Sequence, residues 1–199
     1  MKKKKYIIPF LTIFCLLVAN AFVIARLNNI KHLNQSGENF QIPMFMAHDL
    51  EGNVVTEDIF KGRFTVVCLW VVKDADGSRK ILSELQDWKN TSDKTFQLVG
   101  IAGDIGENPD LEQIEKARMI SRNIDILQIT ANDDLRELLS RIRHAPTVFF
   151  TDGNGVVIGQ PVAGNELELI MKEAARLMEG ESSFGKIKAK AQRILFQSP

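Results

Sequence analysis

From Phe64 to Val72 the chain reads Phe-Thr-Val-Val-Cys-Leu-Trp-Val-Val, apolar and β-branched at almost every position. A strand with one wet face alternates polar and apolar side chains, whereas a strand covered on both faces is apolar throughout. This run therefore belongs in the middle of a sheet that is packed on two sides. After a short turn the period changes. Ile81, Leu82, Leu85 and Trp88 recur at helical spacing and form one apolar stripe on a charged helix. A doubly buried strand feeding an amphipathic helix is the opening unit of an α/β fold.

The remaining segments extend that unit. Ile42 to Met46 reads as a short strand, Asp49 to Asn53 as a hairpin turn and Val54 to Thr56 as the returning strand. Phe96 to Ala102 is a second buried strand, residues 103 to 110 are a loop, and Leu111 to Asn123 is helical. Ile124 to Ile129 reads as a strand, Asp133 to Arg143 as a short helix and Thr147 to Thr151 as a strand. Asp152-Gly153-Asn154-Gly155 is a tight-turn signal, and Val156 to Gly159 pairs back. Asn165, with Glu168 three residues on, has the pattern of a capping box for the last helix, and Gly180 is placed to end it. Strand, helix, strand, helix, hairpin and helix in that order imply a mixed central sheet with helices on both faces.

Charge is unevenly placed. The chain has 25 basic and 25 acidic residues, but Lys2, Lys3, Lys4 and Lys5 all precede the first acidic one, Glu38. The rest of the chain is thus acidic by four charges, and nothing in it forms the basic patch that nucleic-acid binding requires. Behind the basic flank 1–5, Tyr6 to Ala25 carries no charge and matches the roughly 20 residues of a membrane-spanning helix. Positive flanks stay cytoplasmic, so this segment is expected to anchor a single-pass protein whose domain lies outside the cell membrane. Ala19-Asn20-Ala21 also fits a signal cleavage site, in which case the domain would be secreted. Residues 26–39 form a polar tether, 40–180 the folded domain and 181–199 a basic tail. In that tail Lys186, Lys188, Lys190 and Arg193 mix with Ile187, Ile194, Leu195 and Phe196, a composition suited to a loosely held helix or to an anionic membrane face.

Residues 40 to 178 resemble the membrane-anchored TlpA/ResA-like (redoxin) branch of the thioredoxin-like superfamily. Phe40-Gln41-Ile42-Pro43 to Gly52 matches its opening hairpin and Phe60-Lys61-Gly62-Arg63 its lead-in. Leu69-Trp70 stands where the family has Phe-Trp, and Ile142-Arg143-His144-Ala145-Pro146-Thr147 matches the loop whose proline is cis in thioredoxins. The resemblance implies a three-layer α/β/α thioredoxin-like fold with a mixed central sheet, preceded by one N-terminal transmembrane helix. It also implies a Cys-x-x-Cys turn, and here the matching positions hold Ala75, Asp76, Gly77 and Ser78, with one extra residue after Trp70.

That replacement bears directly on chemistry. Dithiol exchange needs an attacking thiolate at a helix N-terminus and a second thiol to resolve the mixed disulfide. Asp76 and Ser78 are ordinary N-cap residues and cannot exchange disulfides. Cys15 lies in the apolar N-terminal segment and Cys68 in the core strand, so the two form no intrachain pair, and Cys68 reads as a buried structural cysteine. In relatives the residue before the cis proline pairs through its backbone with an extended substrate segment, a form of strand addition. Ala145, Pro146 and Thr147, with Ala75 to Ser78, are thus the expected contact surface for a partner protein, itself exported or in the membrane. No catalytic residue and no cofactor is expected.

Other chemistry is not visible. His32, His48 and His144 have no ligand at metal-binding spacing, and His144 reads as a solvated loop residue. Asp104, Glu107 and Asp110 read as a solvated acidic loop. Three functions stay open at this stage. One is a redox-inactive binding or assembly module. A second is a thiol-disulfide oxidoreductase or peroxide-defence component. The third is a structural subunit with a vestigial site.

Overall fold

A computed structural model describes residues 40–106 and 108–180. The flank 1–5, the apolar segment 6–25 with Cys15 and Ala19-Asn20-Ala21, the tether 26–39 with His32, Glu107 and the tail 181–199 lie outside the described residues. Among the described residues no helix is long and apolar enough to cross a membrane.

In chain order the elements are β1 (Phe40–Gln41), β2 (Met46–His48), β3 (Val54–Thr56), β4 (Thr65–Trp70), α1 (Ala75–Thr91), β5 (Gln97–Ala102), α2 (Leu111–Ile120), β6 (Leu127–Thr130), α3 (Arg136–Ser140), β7 (Thr147–Thr151), β8 (Val156–Ala163) and a last helix, α4, over 167–180. Six strands make one sheet in the order β1-β8-β7-β4-β5-β6. β4, β5 and β6 run parallel, β7 pairs antiparallel with β4, and β8 pairs antiparallel with β7. The mixed sheet expected from the sequence is therefore present, with β4 at its centre.

All six residues of β4 are buried, and its period of two divides them between two cores. Val66, Cys68 and Trp70 face α1, α2 and α4, meeting Ile81, Leu85, Ala117 and Ile170. Val67 and Leu69 face the other way, onto Phe45, Val55 and Phe60 and onto Leu135 and Leu138 around α3. Each such side chain contributes on the order of 1.5–3 kcal/mol by leaving water, which is why no position of β4 tolerates a polar residue unless it is paired. Gly100 shows the same density. A Cβ there would lie 1.9 Å from Gln128 Oε1, the atom that accepts the Trp70 indole N–H at 2.8 Å.

Local expectations fail where one polar group decides the outcome. Ile42 to Met46 is not a strand. Ile42 donates its amide to Gly155 O, Pro43 has no amide to give, and the regular pairing begins only at Met46, opposite Thr56. The helix expected over Asp133 to Arg143 is a 3-10 turn, Asp133–Leu135, followed by the short α3. α2 stops at Ile120, before Asn123, which takes a left-handed φ of 65°, and β6 starts at Leu127 rather than Ile124. β8 runs on to Ala163, past Gly159, whose φ of 71° and bulge let the strand bend instead of ending. Asn165 does not cap α4, since its Oδ1 is buried without a hydrogen-bond partner. The carbonyl of Glu166 opens the helix by accepting from Ile170 N–H. Gly180 is the last described residue and is still helical.

Candidate functional site

β4 and β7 are antiparallel, with Leu69 opposite Thr147. The residues that follow β4 and those that precede β7 therefore emerge at the same end of the sheet. This brings Val71 to Ser78, which contains the expected contact residues Ala75 to Ser78, and Arg143 to Thr147, which contains the expected Ala145 to Thr147, to one end of the sheet.

On the β4 side, side chains satisfy the turn. The Ser78 hydroxyl donates to Val71 O at 2.8 Å and accepts from Val71 N–H at 3.2 Å. Asp104, from the loop after β5, accepts from Val72 N–H at 2.7 Å and from Lys73 N–H at 3.0 Å, one oxygen each. Asp74 is the N-cap of α1 and accepts from Gly77 N–H at 3.2 Å. The helix therefore begins before the expected capping residues Asp76 and Ser78. Ser78 is fully buried, while Ala75 and Asp76 are exposed and Gly77 is half-buried. A Cβ at position 77 would sit 2.9 Å from Asp74 Cγ, so the residues that face each other across the first turn are 74 and 77.

On the β7 side, the Ala145–Pro146 peptide bond is cis, as the resemblance implied. Thr147 is buried, and its hydroxyl donates to His144 O at 2.6 Å. Pro146 is buried as well, and its carbonyl accepts from Gly164 N–H at 2.8 Å. Among the described residues the exposed Arg143 and the exposed His144 amide have no backbone hydrogen-bond partner, and Ala145 is left over as well. Among the described residues neither its amide nor its carbonyl has a hydrogen-bond partner, and it is half-buried, within reach of solvent.

Burial pushes the Cys68 thiol up to about 12. The thiolate is the form that attacks disulfides, and this thiol stays protonated at neutral pH in the middle of the sheet. Among the described residues no group of three or more His, Cys, Asp or Glu side chains could hold a metal. Two of the acids assigned to a solvated loop have structural partners instead. Asp110 caps α2 in a complete capping box with Gln113, a pairing visible in the sequence as an acid three residues ahead of a glutamine. Asp104 gave no such local signal, because its partners lie more than thirty residues away.

No protein-family model matches the chain, and no curated protein matches it in sequence. Solved structures do match. The thioredoxin domain of a thiol-disulfide oxidoreductase from Bacteroides vulgatus superposes with a TM-score of 0.50 at 21% identity, over 68% of this chain and 94% of that one. A secreted disulfide oxidoreductase of Mycobacterium tuberculosis matches with a TM-score of 0.50 at 15% identity, over 66% and 95%. The exposed lipoprotein thioredoxin of Streptococcus pneumoniae matches with a TM-score of 0.53 at 12% identity, over 67% and 98%. The described domain has the thioredoxin-like α/β fold with a mixed central sheet. At these identities the likeness is one of fold.

Proposed function

We propose that this chain is a redox-inactive binding or assembly module, held at the outer side of the cell membrane by residues 6–25, whose domain grips an extended segment of an exported or membrane partner protein. The observation that carries the reading is Ala145: its backbone amide and carbonyl are free beside the cis proline, while the neighbouring turn has no thiol. A strand-like segment laid along Ala145 would gain two main-chain hydrogen bonds, each a net of about 0.5–1.5 kcal/mol, and would cross the exposed side chains of Ala75 and Asp76. Other backbone at the sheet margin is less available. β8 presents Pro161, which has no amide, and the Gln160 N–H is taken by Glu173 Oε1 at 3.0 Å, a common protection of an edge.

The solved neighbours are described as oxidoreductases. A thiol-disulfide role here would have to run through Cys68 or a cysteine of the partner, and the buried Cys68 argues for the binding reading. The test is photo-crosslinking in cells from the full chain, with the probe placed in turn at Asp76, Ala145 and Asp93, the last exposed just beyond the far end of α1. Capture of one exported or membrane protein from 76 and 145 but not from 93 is expected. Equal capture from all three positions, or none from the folded, anchored protein, would overturn the reading and leave the vestigial structural subunit.

A further inference from the structure

We infer that Asp104 and Ser78 are the positioning residues of this binding edge, holding its turn rigid without a disulfide; the inference rests on the binding reading above. Val71, Val72 and Lys73 lie between a strand and a helix, where the backbone offers its amides no regular partner. Two side chains from different elements take all three. Ser78 belongs to the first turn of α1 and binds Val71 through both its N–H and its C=O. Asp104 belongs to the loop after β5 and gives each oxygen to a separate amide. Bonds to an ionised acceptor are the stronger kind.

The loop that carries Asp104 is itself anchored. Gly103 donates its N–H to Trp70 O at 2.8 Å, and a Cβ on Gly103 would come 2.6 Å from Leu69 Cδ1, so the loop sits directly against the end of β4. The turn is therefore tied to β4, to β5 and to α1 together and cannot shift against any one of them without losing these bonds. The consequence is preorganisation. Ala75 and Asp76 are presented in one arrangement relative to Ala145, and a partner segment has no ordering of the turn to complete on binding.

The test compares the full chain, reconstituted in nanodiscs, with its Asp104→Ala, Asp104→Asn and Ser78→Ala variants by residue-resolved amide hydrogen exchange. In Asp104→Ala the Val72 and Lys73 amides are expected to exchange about tenfold faster or more, with the β4 amides Val66 to Leu69 unchanged. Asp104→Asn keeps one acceptor oxygen and should accelerate only one of the two. Ser78→Ala should release Val71. A general loss of stability would instead speed the β4 amides in parallel, and that pattern, or unchanged exchange at Val72 and Lys73, overturns the inference. The second arm is crosslinking yield from position 145, expected to fall in Asp104→Ala. Turn opening without such a fall would sink the positioning role while the binding reading stands. Absence of capture from the wild-type chain would sink both, with the exchange data still reporting the lock.

Discussion

The two stretches that meet at the site end of the sheet are built in opposite ways. In Val71 to Ser78 the amides of Val71, Val72, Lys73 and Gly77 all have side-chain acceptors within the domain. In Arg143 to Pro146 the fixed points are the His144 and Pro146 carbonyls, and among the described residues Ala145 between them has an unused donor and acceptor, as does the exposed Arg143. A saturated turn cannot offer its backbone to a ligand and can touch one only with exposed side chains. A stretch with unsaturated backbone does the reverse. Under the proposed binding reading, main-chain contact would fall to Ala145 and side-chain contact to Ala75 and Asp76, while Ser78 faces the interior.

The largest effect should come from attacking the saturated side. Ser78→Leu puts a branched apolar side chain in a full site and strands the Val71 amide and carbonyl, a loss of about 2–5 kcal/mol seen as a lower denaturation midpoint. Ala145→Trp should leave the midpoint within about 0.5 kcal/mol and abolish partner capture. Equal destabilisation by both would erase the asymmetry.

Paired cysteines sharpen it further. With 74 and 77 facing each other, Asp74→Cys with Gly77→Cys should close a disulfide on treatment with a low-molecular-weight disulfide, detected by mass spectrometry. Ala75→Cys with Ser78→Cys should instead cost about 1–3 kcal/mol, because the Ser78 hydroxyl bonds disappear. The opposite ranking would place the helix start where the sequence alone had put it.

A smaller effect concerns Cys68. Burial raises its thiol from an ordinary 9.0 to about 12, so in the unfolded chain it ionises first. Its contribution to stability is complete below about pH 9 and falls as pH rises towards 12. Native protein at pH 8 should resist thiol reagents until denatured, and prompt labelling would revive a redox role. The smallest effect lies far from the site. Arg176 hydrogen bonds hold the Glu173 carboxyl below its ordinary range, with help from Gln160 N–H. That stabilisation is present above about pH 4.5 and is lost as pH falls through the lowered value. Glu173→Gln should flatten the acid limb of a stability curve by no more than about 1 kcal/mol.

Much of the architecture follows from local pattern. The stripe Ile81-Leu82-Leu85-Trp88, the hairpin turn at Asp49 to Asn53 and the tight turn at Asp152 to Gly155 all appear as read, and the doubly apolar β4 does too except at its ends, where Phe64, Val71 and Val72 fall outside the strand and Val72 opens a 3-10 turn. Burial imposes a period of 2 or 3.6 on consecutive residues, and that period is written in the chain itself. Element ends are less faithful, because each end turns on one hydrogen bond. Asp74 wins the cap of α1 over Asp76 and Ser78, and Glu166 rather than Asn165 opens α4.

The sequence by itself determined the mixed α/β class and the absence of cysteine from Ala75 to Ser78, and the family resemblance implied that Ala75 to Ser78 and Ala145 to Thr147 come together. Only the tertiary structure decided that Asp104 serves Val72 and Lys73, that Gly100 makes room for Gln128, that Ser78 points inward and that the Ala145 backbone has no partner among the described residues. The physical reason is that a hydrogen bond between residues thirty or more positions apart depends on which strands become neighbours, and no local periodicity records that choice.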